Sequence, residues 1–124
     1  MVIIKTPREI SCMQRACKIS ANALKLAGTA VEPGVSTLEI DTLIAKYIEK
    51  EGARASFLGY GDYPKSSCIS VNNVVIHGIP NKNCILKAGD IVSIDVGAFF
   101  EGYHGDNAFT FPCGDITPEA QALL

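Results

Sequence analysis

A chain of 124 residues is long enough for one domain with a core of its own, and the sequence reads as a single unit from 1 to 124. Its formal net charge of −2 is spread over both signs along the chain, which excludes a basic stripe for nucleic acid and a charged tail. Apolar residues make up 48% and charged residues only 19%, a greasy balance that implies a face meant to be covered.

The opening "MVIIKTPREI" has no apolar run long enough for a signal peptide, and no segment reaches the length of a membrane span. A cytoplasmic protein without a membrane partner is expected. The five cysteines are odd in number and contain no C-x-x-C pair. They read as reduced thiols rather than as a disulfide framework or a zinc knuckle.

In chain order, "TPRE" sets Thr6 as a helix N-cap, Pro7 at the first helical position and Glu9 as the return partner of a capping box. Ile10, Met13, Cys17, Leu24, Ala27 and Val31 then recur at helical spacing and predict the buried face. "EPGVS" breaks the helix, and "STLE" repeats the box with Ser36 and Glu39. Ile40, Leu43, Ile44, Tyr47 and Ile48 follow as an amphipathic stripe closed by Gly52. Beyond it the period changes. "CISV" and "VVIH" predict a hairpin about Asn72 and Asn73, and "DIVSIDVGAF" with "YHGDNAFTF" predict a second about Glu101 and Gly102. The fold class is α+β, two helices packed on antiparallel β-hairpins. The loop "GYGDYPKSS", rich in glycine and tyrosine, suits the lining of a pocket.

Asp95 lies in the middle of an apolar strand, where an unpaired carboxylate costs several kcal/mol to desolvate. A two-residue turn at Glu101-Gly102 sets Gly97 opposite Asp106 and Asp95 opposite Ala108. The two acids then share a face as diagonal neighbours, roughly 7–8 Å apart at the backbone. At that span both reach one divalent cation or a pair of them. A slip of one residue would separate them. Spacing alone leaves a plainer reading open, in which Asp106 is a turn residue and Asp95 a salt-bridged strand acid. His77 after the apolar run, Tyr60 and Tyr63 three apart, Cys68 and His104 each have an equally plain reading as packed or surface residues.

Taken together, "TPREISCMQRA", "LGYGDYPKSSCISVNNVVIHGIP" and "LKAGDIVSIDVGAFFEGYHGD" closely resemble the amino-terminal half of type I methionine aminopeptidases, from Thr6 to about Phe111. The resemblance implies half of a pita-bread fold and a metal site that serves removal of amino-terminal methionine ahead of a small residue. On that resemblance Asp95 matches the aspartate that chelates a single metal and Asp106 the one that bridges two. His77 matches the histidine that hydrogen-bonds the substrate. Tyr60, Tyr63 and Cys68 match the lining of the methionine pocket, and Phe57 stands where relatives often carry a smaller cysteine, which implies a tighter or reshaped pocket. The family's remaining ligands, a histidine and two glutamates, belong to its carboxy-terminal half, while this chain ends at "PEAQALL".

The resemblance therefore implies a truncated metallo-aminopeptidase of the bacterial cytosolic style, using one or two divalent ions (Co, Mn, Fe or Zn) per site. Reduced activity on short or nascent peptides with amino-terminal methionine is expected. Two alternatives stand beside it. One is a homodimer that imitates the two pseudo-symmetric halves. The other is a non-catalytic remnant that binds nascent chains, ribosomes or a full-length relative.

Overall fold

Thr6 and Ser36 cap two long helices as their sequences require. The Thr6 hydroxyl accepts from the Glu9 amide and the Glu9 carboxylate takes the Thr6 amide at 2.7 Å. Ser36 and Glu39 repeat the exchange. Each box satisfies amide donors that the helix itself leaves without partners. A computed structural model describes residues 1–124. In chain order it contains α1 (Pro7–Thr29), α2 (Thr37–Lys50), β1 (Arg54–Ala55), β2 (Ser67–Val71), β3 (Ile91–Phe100), β4 (Tyr103–Pro112) and α3 (Pro118–Leu123).

All strands are antiparallel and β3 is central. β4 pairs with it along its whole length, from Ile91 opposite Pro112 to Phe100 opposite Tyr103. β2 and β1 lie end to end on the other edge, Ser67 opposite Val96 and Arg54 opposite Phe99. The turn between β3 and β4 is the expected two-residue one. Glu101 (φ 48°) and Gly102 (φ 88°) both take the left-handed conformation that a tight hairpin turn demands. The register predicted from the sequence is the register observed.

Alternation along β3 sorts its side chains into two faces. Val92, Ile94, Val96 and Ala98 point to the helices and are fully buried. Ile40, Ile44 and Ile48 of α2 meet the same core, each burial contributing about 1.5–3 kcal/mol. Ser93, Asp95 and Gly97 face the other way, toward a side of the sheet that no helix covers.

Two expectations need correction, and one element is new. "VVIH" is not a strand: Val74, Val75 and Ile76 are exposed, and β2 pairs with β3 instead of turning back on itself. The cause is Asn72. Its amide donates to the Ile91 carbonyl, its side chain accepts from the Ile91 amide, and its Nδ2 reaches Asp90, so the chain is tied to the start of β3 where a hairpin would have begun. The buried face of α1 is also rotated from the predicted one. Ile10 and Cys17 are exposed, while Ala16, Ile19, Ser20 and Ala23 join Leu24 and Ala27 inside. Gly105 of β4 lies directly against the backbone of Ala16 and Cys17, so the helix sits close and presents small residues to the sheet. Finally, α3 was not expected. Thr117 caps it and Pro118 opens it, but none of its residues is buried. No helix is long and apolar enough to cross a membrane.

Candidate metal centre and cleft

The hairpin register puts Asp95 opposite Ala108 and Asp106 opposite Gly97, so both carboxylates lie on the face away from the helices. Asp95 is half-buried. Its carboxyl is pushed up to about 6, first by burial, then by a hydrogen bond with Asp106 and by the charge of that neighbour, while His77 pulls the other way. The half-buried Asp95 and the exposed Asp106 are oxygen donors on one face, and hard or borderline divalent ions suit them. No group of three or more His, Cys, Asp or Glu side chains gathers at ligand distance. Within this chain the pair fits one side of a coordination shell.

His77 follows in a loop rather than at a strand end. Its backbone is left-handed (φ 57°), a conformation that costs a non-glycine residue roughly 1–2 kcal/mol. The next residue holds it there. Gly78 donates to the Ser70 hydroxyl at 3.0 Å, and its carbonyl accepts from the Ile69 amide at 2.8 Å. The bare Cα of Gly78 lies against the Ile69 carbonyl, with no room for a Cβ. The Tyr63 hydroxyl donates to the Ser67 carbonyl at 2.9 Å and lies 3.2 Å from the Gly78 carbonyl. Burial raises the Tyr63 phenol, with the Cys68 thiol and the charges of Asp41 and Asp95 adding to it, so it stays a protonated donor. Two direct hydrogen bonds and the Tyr63 bridge thus pin the His77 loop to β2.

Asp41 is a residue that the sequence reading missed. Buried on α2, it accepts from the amides of Ser66 and Ser67 at 3.1 and 2.8 Å and from the Ser67 hydroxyl at 2.7 Å. That anchor starts β2 in the register that sets Cys68 opposite Asp95. Cys68 is buried, and desolvation raises its thiol.

One cleft of about 490 Å³ collects all seven expected site residues. Asp95, Asp106 and His77 form one side. Phe57, Tyr63 and Cys68 supply an apolar wall, and Tyr60, 82% exposed, stands at the rim beside Gly61. The volume lies in the range of small-molecule sites, about 300–1,000 Å³. His104 does not join it. Its Nδ1 lies 2.9 Å from the Ser56 hydroxyl and its ring centroid 4.6 Å from that of Phe99, in a neighbouring cleft.

A helix-backed antiparallel sheet with two carboxylates on its open face is half of a pita-bread fold, an architecture of metallopeptidases. The structure superposes on methionine aminopeptidase from Thermotoga maritima with a TM-score of 0.97 and 40% identity, over 99% of this chain and 49% of that one. It also superposes on the Xaa-Pro dipeptidase from Bacillus anthracis, with a TM-score of 0.81 and 25% identity, over 96% of this chain and 32% of the dipeptidase. The chain belongs to metallopeptidase family M24, whose model matches residues 11–124. Methionine aminopeptidase 1 of Bacillus subtilis is 45% identical over 124 residues, which are all of this chain and 50% of that protein. The chain spans about half the length of the curated relatives it matches.

Proposed function

We propose that this chain carries the carboxylate side and the methionine pocket of a metal-dependent aminopeptidase site, acting in the cytoplasm on peptides with amino-terminal methionine. The observation that carries the reading is the single cleft that holds the Asp95–Asp106 pair, His77 and an apolar wall together. Asp95 and Asp106 hold a divalent ion, with Co, Mn, Fe and Zn as candidates and one or two per site. Such an ion supplies Lewis acidity toward a peptide carbonyl and a water. His77, fixed by its loop, donates a hydrogen bond to the substrate backbone. Phe57, Tyr60, Tyr63 and Cys68 receive the methionine side chain and orient the amino-terminal residue. Tyr63 contributes its ring to this wall, because its hydroxyl is already engaged with main-chain carbonyls.

Residues 1–124 form the domain that bears this half-site, and a second copy facing the open side of the sheet would double the carboxylates around it. Activity by the chain alone is expected to be weak, since an open site excludes water poorly.

The test is titration of metal-stripped protein with Mn²⁺, Co²⁺, Fe²⁺ and Zn²⁺, followed by cleavage of methionyl-alanyl-serine, with Asp106→Ala as the control. Metal binding and turnover that both vanish in the variant support the reading. Metal binding without turnover reduces it to a binding remnant that needs a partner for chemistry. Neither metal binding nor turnover overturns it.

A further inference from the structure

Gly97 is the cross-strand partner of Asp106 and lies on the open face of β3. A Cβ built on it would lie 2.7 and 3.1 Å from two ring carbons of Phe57 and 2.8 Å from the Ser56 Cβ. Two carbons of the Phe57 ring therefore lie against the main chain at 97, in the space that any other residue there would occupy. The same ring borders two clefts. On one side is the cleft of about 490 Å³ with Cys68, His77 and Asp95, and on the other a cleft of about 260 Å³ with Ser56 and His104. Phe57 borders both clefts together with Tyr60 and Asp106, and the bare Cα of Gly97 leaves the space that its ring occupies.

We propose that Gly97 and Phe57 form one specificity element, in which the missing side chain at 97 keeps the Phe57 ring out of the larger cleft and so sets the width available to the amino-terminal side chain of a peptide. The proposal rests on the methionine-pocket reading above and assigns Gly97, which does not line that cleft, a share in selectivity. Its physical basis is packing. A single methyl group at 97 falls inside the contact distance of the ring, and atoms at 2.7 Å must part. Ser56 is backbone-tied, since its amide donates to the Gly97 carbonyl at 2.9 Å, so the ring is the group free to yield. Phe57 lines the larger cleft, so a displaced ring changes the space there. A long unbranched side chain then loses room.

The experiment compares binding of methionyl-alanyl-serine with its homologue carrying one more methylene on sulfur, in the presence of Mn²⁺, by calorimetry. Wild type, Gly97→Ala, Phe57→Ala and the double variant are used as full chains. Gly97→Ala is expected to weaken the methionyl peptide about tenfold, the lower end of what one methylene is worth in an apolar pocket. The double variant is expected to restore part of the binding, because the displaced ring is gone while the contact with the Ser56 Cβ remains. Phe57→Ala carries no clash, so it tests the idea even where Gly97→Ala unfolds. It should widen the larger cleft and erase the preference between the two peptides. A wild type that binds the methionyl peptide, with a Phe57→Ala variant that keeps the same preference, overturns the specificity element and leaves the pocket reading intact. A wild type that binds metal but neither peptide overturns the pocket reading, and this proposal with it.

Discussion

The hydroxyl of Tyr63 lies 3.2 Å from the carbonyl of Gly78, the residue that follows His77, and 2.9 Å from that of Ser67. One phenol therefore joins the start of β2 to the strained loop of the candidate site. Tyr63→Phe keeps the ring in the cleft wall and removes only this joint. A lost hydrogen bond of this kind costs about 1 kcal/mol. Its local signature is at Ile69, whose amide donates to the same Gly78 carbonyl at 2.8 Å. Amide exchange at Ile69 is expected to speed up in Tyr63→Phe while the β3–β4 ladder keeps its protection. Unchanged exchange at Ile69 would show that Gly78 is held without the phenol.

Asp41 offers a larger effect at a distance from the cleft. Its Oδ1 accepts two amides and a hydroxyl, all buried. Asp41→Ala leaves those donors without partners, and the loss is expected to reach about 2–4 kcal/mol, since unsatisfied buried groups cost about 1–3 kcal/mol each and relax in part. Urea unfolding checks the magnitude. Serine at 41 is expected to recover little, because its shorter side chain does not span to Ser66. A loss below the cost of one hydrogen bond would mean that water reaches the Ser66–Ser67 amides.

Gly105 decides how close α1 comes to the sheet. A Cβ there would meet the main chain of Ala16 and Cys17, which cannot swing aside as a side chain can. Gly105→Ala is expected to push the helix off β4 and break the bond from Asn107 Nδ2 to the Ser20 hydroxyl, 2.6 Å long. Overpacking of this kind costs about 1–3 kcal/mol. Thermal unfolding measures it, and a variant as stable as wild type would show that α1 has slack.

These three residues also show where the sequence is legible and where it is not. Capping boxes at Thr6 and Ser36 are local chemistry, and both helices begin where they say. The β3–β4 register follows from one turn and the period of a strand, so the shared face of Asp95 and Asp106 could be read once Glu101-Gly102 was taken as a two-residue turn. The residues that failed are governed from elsewhere. "VVIH" has strand-like composition, but Asn72 commits the backbone to Ile91 before a hairpin forms. The buried face of α1 was read from its larger apolar residues, while the close approach that favours its small ones is set by a glycine on β4. Asp41 reads as helix surface beside Ile40, because its partners lie 25 and 26 residues away. His77 could be singled out by its motif, but its left-handed backbone depends on Ser70, Ile69 and Tyr63, which no local pattern connects.

The carboxylate pair makes the metal-free protein sensitive to pH in a stated direction. Asp95 stands at about 6 in the fold, against the ordinary 3.8, with burial the largest cause and Asp106 the next. The folded state therefore keeps a proton that the unfolded chain gives up. The stability linked to this group is full below 3.8 and is lost as pH rises through about 6. Asp95→Asn has nothing to titrate there. Its stability relative to wild type is expected to climb across that window and to level off above it, when both are measured by urea unfolding after metal removal. A saturating divalent ion should reverse the order, because it binds the folded wild type and has lost one of its two carboxylates in the variant. A stability difference that stays flat through the window, with and without the ion, would sink the coupling of Asp95 to Asp106.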